Sequence, residues 1–310
     1  MKILFAATDH IAIPLLEALA RESLIGAVLT APDAPGKRGK SLIPSPIKAR
    51  ALELNLEVYS PDTLRTEARE HIKAYGCDTL LSFCYGKIFG PRFLSLFDRT
   101  FNVHPSALPK YRGCAPIYAS IRNMDRESAI SLQAIALKVD EGDIYGRLDL
   151  ELDGTENSES LTSKVSQLVP EFVLKVLGNI ENAVPTVQNP EDASYQMFIE
   201  KEDGRVDFTK SAKEIHAQIR AVYPWPKAYA LLGDDKLILT SVAGSVFDEF
   251  EPTQGEEPGT VVALDKKKGL KIAASDCYLY VNRVLPPMKK EMDSASYVNG
   301  NRAIIGSVLK

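Results

Sequence analysis

Two domains, an α/β unit followed by a small all-β one, are what this sequence predicts, on three observations. The chain has 310 residues, more than one ordinary compact core holds. Over residues 1–150 apolar runs alternate with amphipathic stretches, the pattern of βαβ units and a parallel-rich sheet. Beyond residue 205, short apolar runs are separated by Gly and Asp turns, the pattern of a small barrel.

Residues 3–7 read as a first buried strand, followed by helical periodicity to residue 19. The runs 24–30, 79–84 and 100–103 read as further strands and 46–54 as a helix. Strands are also predicted at 130–137 and 144–152, and a long helix at 160–177. A Pro- and Asn-bearing stretch without periodicity follows. The boundaries are therefore placed at 1–182 for the first domain, 183–204 for a linker and 205–310 for the second domain. In the latter a helix at 211–221 precedes strand candidates at 227–232, 236–240, 259–264, 270–274 and 278–284, for which an OB-type closure is expected. Tyr223-Pro224-Trp225-Pro226 holds the single Trp of the chain, a proline-fixed aromatic expected to dock on the core.

The bulk numbers exclude several classes. A composition 45% hydrophobic and 25% charged, with no apolar run long enough to span a bilayer, predicts a soluble protein, not a membrane one. No cleavage site follows the first strand, and Cys77, Cys84, Cys114 and Cys277 lack paired spacing, so a reducing, cytoplasmic compartment is expected. His10, His71, His104 and His216 are isolated, which predicts no metal site. A net charge of -4 argues against indiscriminate nucleic-acid binding but leaves room for a basic patch. Phe5-Ala-Ala-Thr-Asp-His10 stands where a dinucleotide-binding enzyme would carry Gly-x-Gly-x-x-Gly. Nothing demands more than a monomer.

The chemistry-bearing stretch is 102–113, Asn-Val-His-Pro-Ser-Ala-Leu-Pro-Lys-Tyr-Arg-Gly. In an extended strand Asn102 and His104 point to the same face, and they end a strand candidate where sites of such sheets lie. The amide can donate to a carbonyl oxygen while the imidazole exchanges protons, a kit for acyl transfer without a covalent intermediate. The turn Val139-Asp140-Glu141-Gly142-Asp143 supplies a carboxylate to orient the imidazole, and turn chemistry leaves Asp140 and Asp143 equal. The run ending in Cys84-Tyr85-Gly86 closes a buried strand at a turn where the backbone comes close to something. Residues 34–52 carry Lys37, Arg38, Lys40, Lys48 and Arg50 and no acid, in a loop longer than a strand-to-helix link needs and suited to neutralising phosphates. Lys266, Lys267 and Lys268 in a hairpin of the second domain offer a second phosphate contact.

Together, residues 102–113 and the Asp140-Glu-Gly142-Asp143 turn resemble the signature of the folate-dependent formyltransferases, along essentially the whole chain. Thr30-Ala-Pro-Asp33, Gly36-Lys-Arg-Gly-Lys40, Pro44-Ser-Pro-Ile-Lys48, Gly113-Cys-Ala-Pro116-Ile117 and Pro224-Trp225-Pro226 place it nearest the branch that formylates charged initiator tRNA. The resemblance implies a Rossmann-like formyltransferase domain and an OB-like C-terminal domain. It implies 10-formyltetrahydrofolate as donor, the α-amine of methionyl initiator tRNA as acceptor, and Asn102, His104 and Asp140 as the catalytic set. Folate contacts would come from Cys84, Tyr85, Gly86, Ser106, Ala107, Leu108 and Pro109, and tRNA contacts from Lys37, Arg38 and Lys40, with Arg38 at the position of a key arginine. The alternative is a sugar-nucleotide or other small-amine N-formyltransferase using the same donor. Ala107 and Val139 each stand where the family has Leu, and Ala7-Thr8-Asp9 where it has Gly-Thr-Pro.

Overall fold

Ile3–Ala7, every residue buried, is an interior strand of a seven-stranded sheet. Burial on both faces is why the run is continuously apolar instead of alternating. The computed structural model describes residues 1–36 and 41–310. Across the sheet the order is Ile144–Glu151, Glu127–Ala134, Arg99–His104, Thr79–Phe83, Ile3–Ala7, Ile25–Leu29 and Val58–Tyr59. From Arg99–His104 to Val58–Tyr59 all neighbours are parallel, while Glu127–Ala134 runs antiparallel to Arg99–His104. The sheet is therefore mixed but parallel-rich, as the alternating pattern predicts.

The chain builds outward from Ile3–Ala7 to Val58–Tyr59, then returns to the other side with Thr79–Phe83. Strand order thus reverses between Ile3–Ala7 and Thr79–Phe83, and open α/β sheets bind ligands beyond the carboxyl ends at such a reversal. Thr8 ties the two strands together there, its N–H donating to Cys84 O at 3.2 Å and its hydroxyl to Tyr85 O at 2.9 Å.

Contacts divide the chain into two compact units. One comprises Met1–Gly113, Ala129–Leu150 and Thr162–Tyr195, and the other Cys114–Ser128, Glu151–Leu161 and Gln196–Lys310. In the second, helix Ala212–Ala221 starts with a reciprocal cap: Ser211 Oγ accepts from Glu214 N while the Glu214 carboxylate accepts from Ser211 N. It buries Ile215 and Ile219 against an antiparallel sheet and packs beside helix Pro116–Arg122. The sheet order is Ala228–Leu232, Asp235–Val242, Tyr278–Leu285, Gly269–Ala273, Val261–Asp265, with Met292–Asp293 also on Tyr278–Leu285. That order is open and shows no closed barrel among the described residues. The last residues of the chain nevertheless bond to both end strands: Lys310 N donates to Leu231 O at 2.9 Å, and Val261 N donates to Ser307 O at 2.9 Å. Trp225 departs from its expected docking and is 54% exposed. Val222, fully buried, takes the inward position after the helix instead.

His216 lies on the same helix, fully buried beneath the ring of Phe250. Its Nδ1 accepts from Arg220 Nε at 3.1 Å, so the ring is neutral with its proton on Nε2 facing Ala243 O. Burial first, then the neighbouring Arg220 charge, lowers its pKa from 6.5 to about 4. An unfolded chain takes up the proton near pH 6.5 and the folded one does not. Stability is therefore full above that pH and falls as pH drops toward 4, by about 3 kcal/mol for this group. Denaturant unfolding at stepped pH should show that loss, and His216→Gln should flatten it.

Candidate active site

Strand Arg99–His104 presents Asn102 and His104 on one face, and the antiparallel register places Gln133 directly opposite Asn102. After Ala134 the chain turns through residues 137–143 and returns, with Asp143 O accepting from Ala134 N at 2.8 Å. Two residues make the turn possible. Asp140 sits at φ +55, a left-handed conformation that Asp tolerates better than most side chains. Gly142 passes so close to the strand that an added Cβ would lie 1.8 Å from Ala134 O.

The turn delivers the Asp140 carboxylate to the strand pair. Its Oδ1 accepts from Gln133 Nε2 at 2.7 Å and Asn102 Nδ2 at 3.3 Å, and its Oδ2 accepts from Gly113 N at 2.8 Å. His104 Nδ1 lies 3.6 Å from the same Oδ2. The other ring nitrogen of His104, Nε2, is 2.9 Å from Tyr111 O, and a carbonyl can only accept, so Nε2 carries a proton. Nδ1 is therefore the nitrogen free to gain or lose one. The amide, imidazole and carboxylate are thus brought together, and His104 is only 4% exposed. The bonds around this pair end on Asp140, not Asp143, which separates the two aspartates that turn chemistry leaves equal.

The other predicted contact residues fall into four groups. Cys84 and Gly86 are exposed at the strand reversal, and Ala107 and Pro109 are partly exposed beside His104. Tyr85 and Leu108 are buried, the Tyr85 ring stacked on Phe89 at 5.3 Å, and Ser106 is fully buried with its hydroxyl donating to Lys110 O at 2.6 Å. Lys266, Lys267 and Lys268 are exposed on the turn between Val261–Asp265 and Gly269–Ala273, where Asp265 Oδ1 accepts the N–H groups of Lys267 and Lys268. Lys37, Arg38 and Lys40 lie outside the described residues. Among the described residues on either side, Ala34–Pro35 pairs with Leu42–Ile43 as a two-stranded ribbon, near which Lys48 and Asp33 form an ion pair at 2.7 Å and the Thr30 and Ser45 hydroxyls meet at 2.7 Å. No group of three His, Cys, Asp or Glu side chains among the described residues is placed to hold a metal ion, and no described helix is long and apolar enough to cross a membrane.

Two side chains at the site escape sequence reasoning. Gln133 would be found only from the strand register, and Gln188 comes from the stretch read as linker. Both are buried, and Gln188 Nε2 donates to the carbonyl oxygens of Asp140 at 2.9 Å and Gly142 at 2.6 Å.

The formyl transferase family matches residues 1–177 and the formyl transferase C-terminal domain residues 198–302. Methionyl-tRNA formyltransferase of Treponema denticola is 33% identical over 314 residues, covering 97% of this chain and 97% of the relative. That of Borreliella afzelii is 35% identical over 310 residues, covering 99% of this chain and 98% of the relative. Among solved structures, methionyl-tRNA formyltransferase from Clostridium thermocellum superposes with TM-score 0.57 at 19% identity, over 80% of this chain and 95% of that one. WlaRD, a sugar 3N-formyl transferase, superposes with TM-score 0.64 at 22% identity, over 94% of this chain and 99% of that one. The structural likenesses speak to the fold, and the end-to-end sequence matches to more than that: the chain belongs to the formyltransferase family.

Proposed function

We propose that this formyltransferase moves the formyl group of 10-formyltetrahydrofolate to the α-amine of methionyl initiator tRNA, by direct attack and with no enzyme-bound intermediate. The observation that carries the reading is the convergence of Asn102 and His104 on one carboxylate at the carboxyl edge of the sheet. The full-length likeness to methionyl-tRNA formyltransferases selects the acceptor. A flat folate ring suits the strand reversal: Cys84 and Gly86 are exposed, and a Cβ added at Gly86 would meet nothing within 4 Å.

Asn102 keeps one amide N–H beyond the one directed at Asp140, and that hydrogen is available to the formyl oxygen. Protonated His104 offers Nδ1–H to the oxygen on which negative charge develops as the amine adds. Asp140 fixes the orientation of the imidazole and helps carry the proton from the attacking to the leaving nitrogen. An aminoacyl amine has a pKa of about 8 or lower, so a neutral fraction exists at physiological pH and the enzyme need not supply a nucleophile.

The division of labour that fits this chemistry is a catalytic domain over 1–182, a linker over 183–204 and a tRNA-binding domain over 205–310, in a cytoplasmic monomer without metal. The second domain is OB-like in this reading, which the backbone bonds of residues 307–310 to both end strands of its open sheet support. Lys37, Arg38, Lys40 and Lys266 to Lys268 would grip phosphates.

Incubation with 10-formyltetrahydrofolate and methionyl initiator tRNA should yield formylmethionyl-tRNA, with little transfer to an amino-sugar nucleotide. The reverse preference would establish the small-amine alternative. In the same assay Arg38→Ala should raise the KM for tRNA, leave kcat nearly unchanged and reduce the salt dependence of binding by about one phosphate contact. An unchanged salt slope would make the loop ordinary surface.

A further inference from the structure

We propose that Gln188, held by Arg112, is a positioning residue that sets the Asp140 carboxylate against Asn102 and His104. The inference rests on the reading of Asp140 as the carboxylate of the reaction. The Gln188 side chain is 6% exposed and spans two groups of opposite need. Its oxygen accepts two hydrogens of the Arg112 guanidinium, from Nε at 3.1 Å and Nη2 at 2.9 Å. Its nitrogen donates to Asp140 O at 2.9 Å and to Gly142 O at 2.6 Å.

Only an amide of this length answers both sides. A carboxylate would satisfy Arg112 but turn an oxygen toward two carbonyl oxygens, and an apolar chain would leave two N–H groups of a buried guanidinium without the oxygen they share. The two carbonyls that Gln188 holds flank Glu141, and the Glu141 side chain is gripped from outside. Its Oε1 is 3.3 Å from Arg112 Nη1 and accepts from Tyr195 OH at 3.0 Å. The residue after Arg112, Gly113, donates its N–H to Asp140 Oδ2 at 2.8 Å. The Asp140 turn is thus fastened on its backbone, on its neighbouring side chain and on the carboxylate itself, and Arg112 or its neighbour takes part in each fastening. Asp140 adopts a left-handed backbone conformation, so a turn released from these bonds has ready alternatives.

The test is a double-mutant cycle between Gln188 and Asp140 in the full chain, reading kcat and KM for formyl transfer alongside thermal unfolding. Gln188→Glu should lower kcat by about a hundredfold, the cost of a reacting group misplaced by about an ångström, with the KM for the folate donor little changed. In an Asp140→Asn background the same substitution should add almost nothing, because the group it positions has lost its function. A full, additive loss in that background would overturn the proposal, as would near-normal kcat for folded Gln188→Glu. Near-normal turnover of Asp140→Asn alone would instead bring down the reading of Asp140. Where Gln188→Glu does not fold, Gln188→Asn keeps the amide and loses its reach, and the same cycle and the same outcomes apply to it.

Discussion

Replacing Asn102 by alanine is expected to cut turnover by about a hundredfold or more, the loss seen when one oxyanion donor worth roughly 2.7 to 4 kcal/mol is removed from an acyl-transfer site. The fold should be unaffected for a reason visible in the bonding. Asp140 Oδ1 retains the shorter bond from Gln133 at 2.7 Å when the 3.3 Å bond from Asn102 is lost, so no buried oxygen is left alone. Because the interaction belongs to the developing charge and not to the bound substrates, the loss should fall on kcat and leave both KM values close to wild type. Single-turnover formyl transfer, measured with a parallel unfolding curve, separates the two. Turnover near wild type in folded protein would refute the assignment.

Asp140→Asn should be at least as damaging, while Asp143→Asn should change little. An asparagine at 140 must direct its NH2 either at Gln133 and Asn102 or at the Gly113 N–H, and every one of those groups is itself a donor. With Asn102 and Gln133 oriented as they are, no amide orientation avoids a donor facing a donor, and the negative charge beside His104 is gone as well. Loss of the orienting carboxylate of a comparable imidazole costs on the order of ten-thousandfold in turnover. At 143 the group the hairpin uses is the backbone carbonyl, which the substitution leaves in place. Equal effects at the two positions, or a larger one at 143, would reverse the choice.

Asn102 and His104 are legible in the sequence because a spacing of two in a strand has one geometric meaning, and the apolar run before them marks that strand. The glycine of the Asp140 turn is legible as punctuation, though its reason, contact with Ala134 O, is tertiary. Gln133 is not legible. Its place opposite Asn102 depends on an antiparallel register between strands separated by a loop and a helix, and nothing local to either strand specifies that register. Gln188 is hidden for another reason: a polar residue in a stretch without periodicity looks like surface, yet two carbonyls and a guanidinium bury it.

Missed elements follow the same division. Helix Thr66–Ala74 buries only Ala68 and Ile72 among charged neighbours, too thin an apolar stripe to announce itself. Helix Ser294–Gly300 has one strong helix former, Ala295, among Ser, Tyr, Val, Asn and Gly, a weak propensity that an Asp293 cap and its packing override. The long apolar strands, by contrast, fall within a few residues of where their periodicity puts them.

The tether from His104 to Tyr111 O has a last implication for how the imidazole can work. With one nitrogen committed to a main-chain oxygen, the ring cannot pass a proton through itself from one side to the other. In the proposed reaction, whatever it lends must return to the same atom, so its part would be a loan and not a relay, with the ring restored without rotation of the side chain.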